Sequence, residues 1–250
     1  MSRFRIATLF CYGLLTLWSA FVLMPLAWML FAAFKSRREI FTDPVGLPNS
    51  LDISSFERAW GIGIGAFMVN SLLITAVSVA VIIAASGMAA YVLARSRSLL
   101  MQLLYLAVVA AFAVPVQAVL VPLYQIVSEA GFLNSRLAIV LPYAAFGIPF
   151  TIILFYAFFL DFPKELEEAA LIDGLNRGQI FFRIVLPLSG PAVASAAIFQ
   201  AVFIWNEFLL ALLMLTSPPL KTLPVGILDP AGRHPRPEGR LHRRLAGDHG

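Results

Sequence analysis

The chain has 250 residues, of which 60% are hydrophobic and only 13% charged, and its formal net charge at pH 7 is +4. Soluble domains carry about 25% charged residues, so this composition excludes an ordinary soluble protein and indicates a membrane protein. The single cysteine, Cys11, excludes an internal disulfide, and the small positive charge, half of it in residues 229–250, does not indicate nucleic-acid binding.

Five stretches of the sequence are apolar, free of charged residues and long enough to cross a membrane as helices. A helical span needs about 20 apolar residues, whereas a strand of a membrane barrel alternates over about ten. We therefore predict an all-α fold, a polytopic transmembrane helical bundle whose backbone polar groups are satisfied within each helix. The predicted spans are residues 6–34, 59–94, 98–128, 137–160 and 184–206, the last continuing past Glu207 to about Thr216.

The first predicted span follows a basic N-terminal segment that resembles the start of a signal peptide. The apolar run is too long for one and lacks a small-residue cleavage site, so we predict a retained span. The connection over residues 35–58, which contains KSRRE and DPVGLPNS, is predicted to be part turn and part short surface helix. Lysines and arginines divide almost evenly between the two sides of the bundle, so charge bias alone does not fix its orientation.

Two pairs of prolines are predicted to interrupt the third and fourth stretches. Prolines in a span free backbone groups, which either line a cavity or belong to simple packing kinks, and the sequence leaves both interpretations open. The four residues are Pro115, Pro122, Pro142 and Pro149.

Three polar residues in the spans are further candidates for a function inside the membrane. Asn206 and Glu207 lie in the fifth stretch, where an ionisable side chain is either a pathway or gate position or a residue near the water interface. Asn70 is either a pathway position or, together with Ser71, a hydrogen-bonding residue between helices.

A charged segment separates the fourth and fifth spans, and residues 163–191 read PKELEEAALIDGLNRGQIFFRIVLPLSGP. Proline at the first helical position and carboxylates in the first turns predict a short helix after residue 162. Gly174 is predicted to stop it, and a second helix is predicted over residues 177–185, ended by Leu186 and Pro187. The apolar stripe of the first helix is predicted to comprise Phe162, Leu166, Ala169 and Ala170. On physical grounds this segment is either a solvated linker or a docking surface for a partner.

The string EEAALIDGLNRGQIFFRIVLPLSGP resembles the cytoplasmic coupling loop of bacterial binding-protein-dependent ABC importers. The residues that carry this resemblance are Glu168, Ala169, Ala170, Gly174, Ile184, Leu186 and Pro187. Residues 70–95, 121–174, 205–215 and 220–227 also resemble this family, in particular the second permease subunit of maltose-type carbohydrate importers. The resemblance covers about residues 1–228 and implies a type I importer permease fold with six spans and a cytoplasmic N-terminus.

The resemblance implies a multi-pass permease subunit of the bacterial inner membrane that forms the path of an ATP-driven sugar importer. Its implied partners are a second permease, two ATP-binding cassette subunits, an extracytoplasmic solute-binding protein and membrane lipid. The chain has no GxxxxGK[ST] motif, so we expect it to bind no cofactor and to be no enzyme, with ATP bound and hydrolysed on the partner subunit. The histidines His234, His242 and His249 match no common metal site, so no metal is expected.

The coupling loop is expected to transmit motion from the ATPase to the spans. Small alanines would allow close packing, Glu168 would offer a charge-assisted hydrogen bond, and Gly174 would set the angle between two short helices. The expected ATPase-coupling residues are Glu165, Glu168, Ala169, Ala170, Asp173, Gly174, Leu186 and Pro187. Alternative interpretations are a permease for a non-sugar solute and a stand-alone carrier or channel, which would need no docking loop.

The predicted organisation has three parts: residues 1–66 with the first span and an external loop, residues 67–228 as permease core with the coupling loop at 161–186, and residues 229–250. The last part is rich in Arg, Pro and Gly, which predicts disorder. Because the resemblance implies a sixth span beyond this point, we hypothesise a frameshift or truncation near residue 229, with a possible loss of activity. A natural five-span variant is the alternative, and reading the coding DNA in the other frames distinguishes the two.

Overall fold

The computed structural model describes residues 2–228, with side chains from Thr8 onward, and the predicted tail at 229–250 lies outside them. These residues are helical with connecting turns and form two compact units, one ending at Gly63 and the other beginning at Ile64. The helices of the first unit are α1 (Ser2–Ala33), α2 (Arg37–Thr42) and α3 (Ser54–Gly61).

The first unit is a long apolar helix followed by a folded polar loop. Residues Thr8–Ala33 of α1 are long and apolar enough to cross a membrane. The loop is organised by Lys35, which is only 1% exposed and donates a hydrogen bond of 2.6 Å from Nζ to the carbonyl oxygen of Asp43. Ser36 caps α2 by accepting from the amide of Glu39. The predicted mixture of turn and short helix at 35–58 is confirmed.

Between Ile64 and Leu228, the described part of the second unit contains ten further α-helices. They are α4 (Ile64–Arg95), α5 (Leu99–Phe112), α6 (Val116–Glu129), α7 (Leu137–Asp161), α8 (Lys164–Ile172), α9 (Arg177–Ile180), α10 (Leu186–Leu188), α11 (Gly190–Asn206), α12 (Leu209–Met214) and α13 (Leu223–Leu228). A π-helical turn, Phe181–Val185, joins α9 to α10, and a 3₁₀ turn, Pro218–Leu220, precedes α13.

The core of the second unit lies where α4 packs along α7 and α11 packs against both. Small polar residues such as Ser78 and Ser86 are fully buried on α4, and small side chains let membrane helices approach closely. The Ser86 hydroxyl donates to the carbonyl of Ile148 on α7, and Gln200 on α11 donates to Gly147 and Thr151. These interhelical bonds hold the three helices together inside an otherwise apolar core.

The five predicted spans correspond to three single helices and two bent pairs. Three helices, α1, α4 and α7, are each long and apolar enough to cross a membrane. The number of candidate spans reaches five if each bent pair is taken as one span. The α5–α6 pair bends by 98°, and the pair formed by Arg177–Leu188 and Gly190–Asn206 bends by 75°. The predicted fifth span is present as one of these bent pairs, but its helix is broken near Ser189 and ends at Asn206 rather than continuing to about Thr216.

Only one of the four prolines predicted to interrupt spans does so. Pro115 lies at the bend between α5 and α6. Pro122 lies inside α6, and α7 runs unbroken through Pro142 and Pro149. Neighbouring helices and local adjustments stabilise a proline inside a membrane helix, which explains why the predicted interruptions of α7 are wrong.

Gly147 is expected to be essential for the close packing of α7. A Cβ at this position would lie 2.5 Å from Cδ1 of Ile82 and 3.0 Å from Oε1 of Gln200. We expect Gly147→Ala to lower the free energy of unfolding by about 1–3 kcal/mol through overpacking. Unfolding by SDS in mixed micelles measures this loss. Gly190→Ala is the matched control, because nothing lies within 4 Å of the added Cβ, and equal stability of the two variants would contradict the prediction.

Candidate functional site

The segment between α7 and α11 forms a helix, a glycine turn and a second helix, as the sequence predicts. Pro163, predicted at the first helical position, is instead the N-cap of α8, so the helix begins one residue later, at Lys164. Gly174 has φ +82°, a left-handed conformation that glycine adopts without strain, and it follows the end of α8. The second helix begins with a capping box, in which the Asn176 and Gln179 side chains each accept from the other's amide at 2.9 Å. The two helices therefore have defined ends and a fixed turn between them.

An ion pair anchors α8 to the end of α4. Nε and Nη2 of Arg95 donate to Oε1 of Glu167 at 2.8 and 2.5 Å, and the Tyr91 hydroxyl donates to Oε2 at 2.8 Å. Nη1 of Arg95 also donates to the carbonyl of Phe159 on α7 at 2.6 Å. The side chains of Arg95 and Glu167 are only 8% and 12% exposed, so the pair is largely shielded from water. One guanidinium thus joins α4, α7 and α8.

Aromatic packing completes this anchor beside the Tyr91 ring. The Tyr91 ring lies 5.9 Å from Phe159 and 5.1 Å from Phe181, centroid to centroid. Ala170 and Ile180 are buried in the same cluster, at 4% and 1% exposure. The inner face of the helix–glycine–helix segment is therefore part of the core of the second unit.

Two details of the predicted segment are wrong. Of the predicted apolar stripe, Phe162 and Ala170 are buried, but Leu166 and Ala169 are exposed, and Glu167 lies on the inner face of α8 instead. Leu186 and Pro187 do not end the second helix, since the helical path continues from the π-helical turn through α10 to Leu188. Proline is tolerated at this point because it occupies an early position of α10.

The outer face of the segment carries most of the predicted coupling residues. The exposed ones are Glu165, Glu168, Ala169, Asp173, Gly174 and Pro187. Ala170 is buried within the chain, and Leu186 is partly buried. The apolar side chains of Leu171 and Ile172 are 47% and 87% exposed beside the carboxylates. The outer face of α8 therefore offers acidic and apolar groups together.

Asn70 lies far along α4 from this anchor and is fully bonded within the chain. Its Nδ2 donates to the carbonyl oxygens of Pro219 and Lys221 at 2.7 and 3.3 Å, and its Oδ1 accepts from Arg136 at 3.1 Å. The neighbouring Ser71 hydroxyl accepts from the amide of Leu223. These bonds attach residues 219–223 to α4.

Asn206 and Glu207 lie where α11 ends. Asn206 is exposed and donates back to the carbonyl of Val202 at 2.7 Å. Glu207 caps α12 by accepting from the amides of Leu210 and Ala211 at 2.9 and 3.3 Å, and it also accepts from the Tyr143 hydroxyl at 2.6 Å. Glu207 therefore joins α11 and α12 to α7.

The anchor of Arg95 and Glu167 is the feature that the sequence prediction missed. In the sequence, Glu167 is one of several carboxylates in the first turns of α8, and Arg95 is part of a basic link. The sequence does contain a signal for this ion pair, because both residues are predicted to lie at the same end of the bundle and have opposite charges. Sequence spacing alone does not indicate which of the three neighbouring glutamates faces inward.

Comparisons with known proteins agree with this architecture. Residues 82–229 match the family described as binding-protein-dependent transport system inner membrane component. The chain is 38% identical over 205 residues to the probable ABC transporter permease protein YurM of Bacillus subtilis, covering 82% of this chain and 68% of the relative. It is 36% identical over 207 residues to the diacetylchitobiose uptake system permease protein NgcG of Streptomyces coelicolor, with the same coverage.

Two further comparisons concern a sugar-transport relative and a solved structure. The chain is 32% identical over 209 residues to the multiple sugar-binding transport system permease protein MsmG of Streptococcus mutans, covering 82% of this chain and 75% of that protein. Its structure superimposes with a TM-score of 0.77 on a chain of a bacterial ABC transporter involved in the import of the acidic polysaccharide alginate. That match covers 90% of this chain and 79% of the other at 23% identity, and it shows a shared fold.

Proposed function

We propose that this chain, which belongs to the family of inner membrane components of binding-protein-dependent transport systems, forms part of the translocation path of an ATP-driven sugar importer. The chain is a multi-pass membrane transport subunit that acts with other subunits of an ABC transporter. A sugar as solute is supported by relatives named for diacetylchitobiose and for multiple sugars. The solutes named for these relatives differ from one relative to the other.

The proposed role of α8 is to dock on an ATP-binding cassette subunit and pass its motion to the spans. The observation that carries this proposal is the anchor of Arg95 and Glu167, which fixes α8 to α4 and α7 while its opposite face remains exposed. A docked helix transmits a displacement only if it is attached to the moving body, and a charge-assisted pair supplies such an attachment. Glu168 would meet a basic group of the partner, and Ile172 an apolar one.

The proposed partners are a second permease, two ATP-binding cassette subunits and an extracytoplasmic solute-binding protein. ATP would be bound and hydrolysed by the cassette subunits, and this chain would bind no nucleotide. A cytoplasmic position of α8 is supported by four cations that line one cavity beside it, because cytoplasmic loops carry an excess of lysine and arginine. They are Arg95, Arg97, Lys164 and Arg177. If α4 ends in the cytoplasm and α1 crosses the membrane before it, the N-terminus is also cytoplasmic.

Reversing the charge of Glu168 is expected to separate this chain from its ATPase partner. Glu168 is exposed, so Glu168→Lys leaves the fold intact while it places a like charge opposite a basic docking group, which costs several kcal/mol at an interface. We expect at least a tenfold lower yield of the cassette subunit when tagged chain is purified in mild detergent from its native host. Uptake of radiolabelled sugar by the same cells is expected to fall in parallel.

The matched control for this experiment is Glu129→Lys. Glu129 is also exposed and lies at the end of α6, outside the helix–glycine–helix segment. It should leave both co-purification and uptake unchanged. A second variant, Gly174→Pro, alters the turn rather than the charge. Normal association and normal uptake in both Glu168→Lys and Gly174→Pro would refute the proposed coupling role of α8.

A further inference from the structure

Two adjoining cavities of different character lie beside the end of α4. The larger, about 630 Å³, has walls formed by Met88 and Val92 of α4 and by Phe181 and Phe182 of the π-helical turn. The smaller, about 310 Å³, lies against α8 and is lined mainly by charged side chains. The two cavities share the walls formed by Tyr91, Arg95, Arg97 and Arg177. Together they make one amphipathic recess with an apolar and a charged compartment.

The charged compartment has an excess of cations. Its carboxylates are Glu167 and Glu168, and Glu167 is already engaged by Arg95. Among the side chains that the structure describes, Arg97, Lys164 and Arg177 have no carboxylate within ion-pairing distance. Three cations therefore face one remaining carboxylate, and the compartment is electrostatically suited to an anion. Besides Arg95, which is engaged by Glu167, both Arg97 and Arg177 also line the apolar compartment.

The apolar compartment opens on a face of the unit that lies at the end of a membrane span. Met88, Val92 and Phe182 are 46%, 53% and 58% exposed, although large apolar side chains gain from being covered. Met88 and Val92 stand on the last two turns of α4, which is long and apolar enough to cross the membrane and ends at Arg95. This face is therefore placed where acyl chains meet headgroups. A π-helical turn is uncommon and is often found at functional sites, and here it supplies both phenylalanines.

We propose that this recess binds an anionic phospholipid. Its phosphate is held between Arg97 and Arg177, and the first part of an acyl chain covers Met88, Val92 and Phe182. Arginine suits this role because its planar fork donates two parallel hydrogen bonds to phosphate oxygens. Basic pockets between membrane helices are known to accept anionic headgroups, and each basic residue near such a surface strengthens binding several-fold. The inference goes beyond the proposed transport function and holds for any solute.

The experiment is native mass spectrometry of the full chain, purified in mild detergent and titrated with phosphatidylglycerol or phosphatidylcholine of the same acyl chains. We expect preferential retention of phosphatidylglycerol, and about tenfold weaker retention in the double variant Arg97→Ala/Arg177→Ala. The matched control is Arg37→Ala/Arg38→Ala. Those two arginines are also exposed and also follow a span, but they do not line either cavity.

Two further arms identify the ligand chemistry. Phe182→Ser is expected to weaken retention of phosphatidylglycerol without changing the two arginines. Inorganic phosphate in the millimolar range is expected to displace little lipid.

Equal retention of both lipids, or equal retention by wild type and the double arginine variant, would overturn the proposal. Complete displacement by inorganic phosphate would overturn it in favour of a soluble anion. If the double arginine variant keeps its lipid but loses the cassette subunit on co-purification, the recess belongs to the ATPase interface and the proposal is overturned. Glu168→Lys adds a cation to the charged compartment and should retain at least as much phosphatidylglycerol as wild type while it loses the cassette subunit, so failure of the coupling role and failure of this site are distinguishable.

Discussion

Replacement of Arg95 by alanine is expected to lower the free energy of unfolding of the second unit by about 3 kcal/mol. The substitution leaves Glu167 as a largely buried carboxylate without its counter-charge, and removing one partner of a buried pair typically costs about 3–5 kcal/mol. We expect the lower end of that range because both side chains keep some contact with solvent. The carbonyl of Phe159 also loses a hydrogen-bond donor. Unfolding by SDS in mixed micelles measures the loss.

Three controls separate the ion pair from other effects of the substitution. Arg183→Ala removes an exposed charge from the same segment and should change stability by less than about 0.5 kcal/mol. Glu167→Gln keeps the shape and the bond to Tyr91, and should cost less than Arg95→Ala. The exchange Arg95→Glu/Glu167→Arg should recover part of the loss. An Arg95→Ala protein as stable as Arg183→Ala would show that the pair does not hold α8.

The same variant tests the proposed function if the complex still assembles. With α8 released from α4, a docked ATPase would move α8 without moving the spans. We therefore expect Arg95→Ala to lower sugar uptake more strongly than it lowers co-purification of the cassette subunit. Glu168→Lys is expected to lower both together. The different ratio of uptake to co-purification in the two variants distinguishes attachment of the loop within the chain from docking of the loop on its partner.

The features that follow from local chemistry could be predicted from the sequence alone. Long uncharged stretches indicated helical spans, because a helix alone satisfies its backbone within an apolar surrounding. Gly174 was predicted to end α8 because the left-handed conformation there excludes most other residues, and its φ of +82° confirms this. The family is also indicated by the sequence alone, through the resemblance of residues 163–191 to a coupling loop.

The features that the sequence did not predict depend on contacts between distant segments. Glu165, Glu167 and Glu168 are alike in the sequence, and contacts with Arg95 and Tyr91 on another helix select Glu167 for burial. Pro142 and Pro149 looked like interruptions, but packing of α7 against α4 and α11 keeps the helix continuous. The bend near Ser189 arises between two segments that are both apolar, so hydropathy gave no signal for it.

Replacement of Glu207 by alanine is expected to lower the free energy of unfolding by about 3 kcal/mol. The carboxylate accepts from the amides of Leu210 and Ala211 and from the hydroxyl of Tyr143, which is only 4% exposed. A buried donor left without an acceptor costs about 1–3 kcal/mol. Because α12 is short, the loss of its cap is expected to release residues 209–214 from α7. SDS-induced unfolding of wild type and variant measures the loss of stability. Proteolysis of the two proteins measures the release of residues 209–214.

Glu207→Gln decides whether the carboxylate has a gating role in addition to this structural one. Glutamine keeps an acceptor oxygen for the amide of Leu210, and its NH₂ group can donate to the Tyr143 oxygen, so the unfolding free energy should fall by only about 1 kcal/mol. Since the carboxylate is engaged within the chain at three points, we expect sugar uptake by Glu207→Gln to remain close to wild type, while Glu207→Ala loses uptake along with stability. If Glu207→Gln is stable but does not transport, the negative charge itself is needed in the path, and Glu207 is then a gate residue rather than a cap.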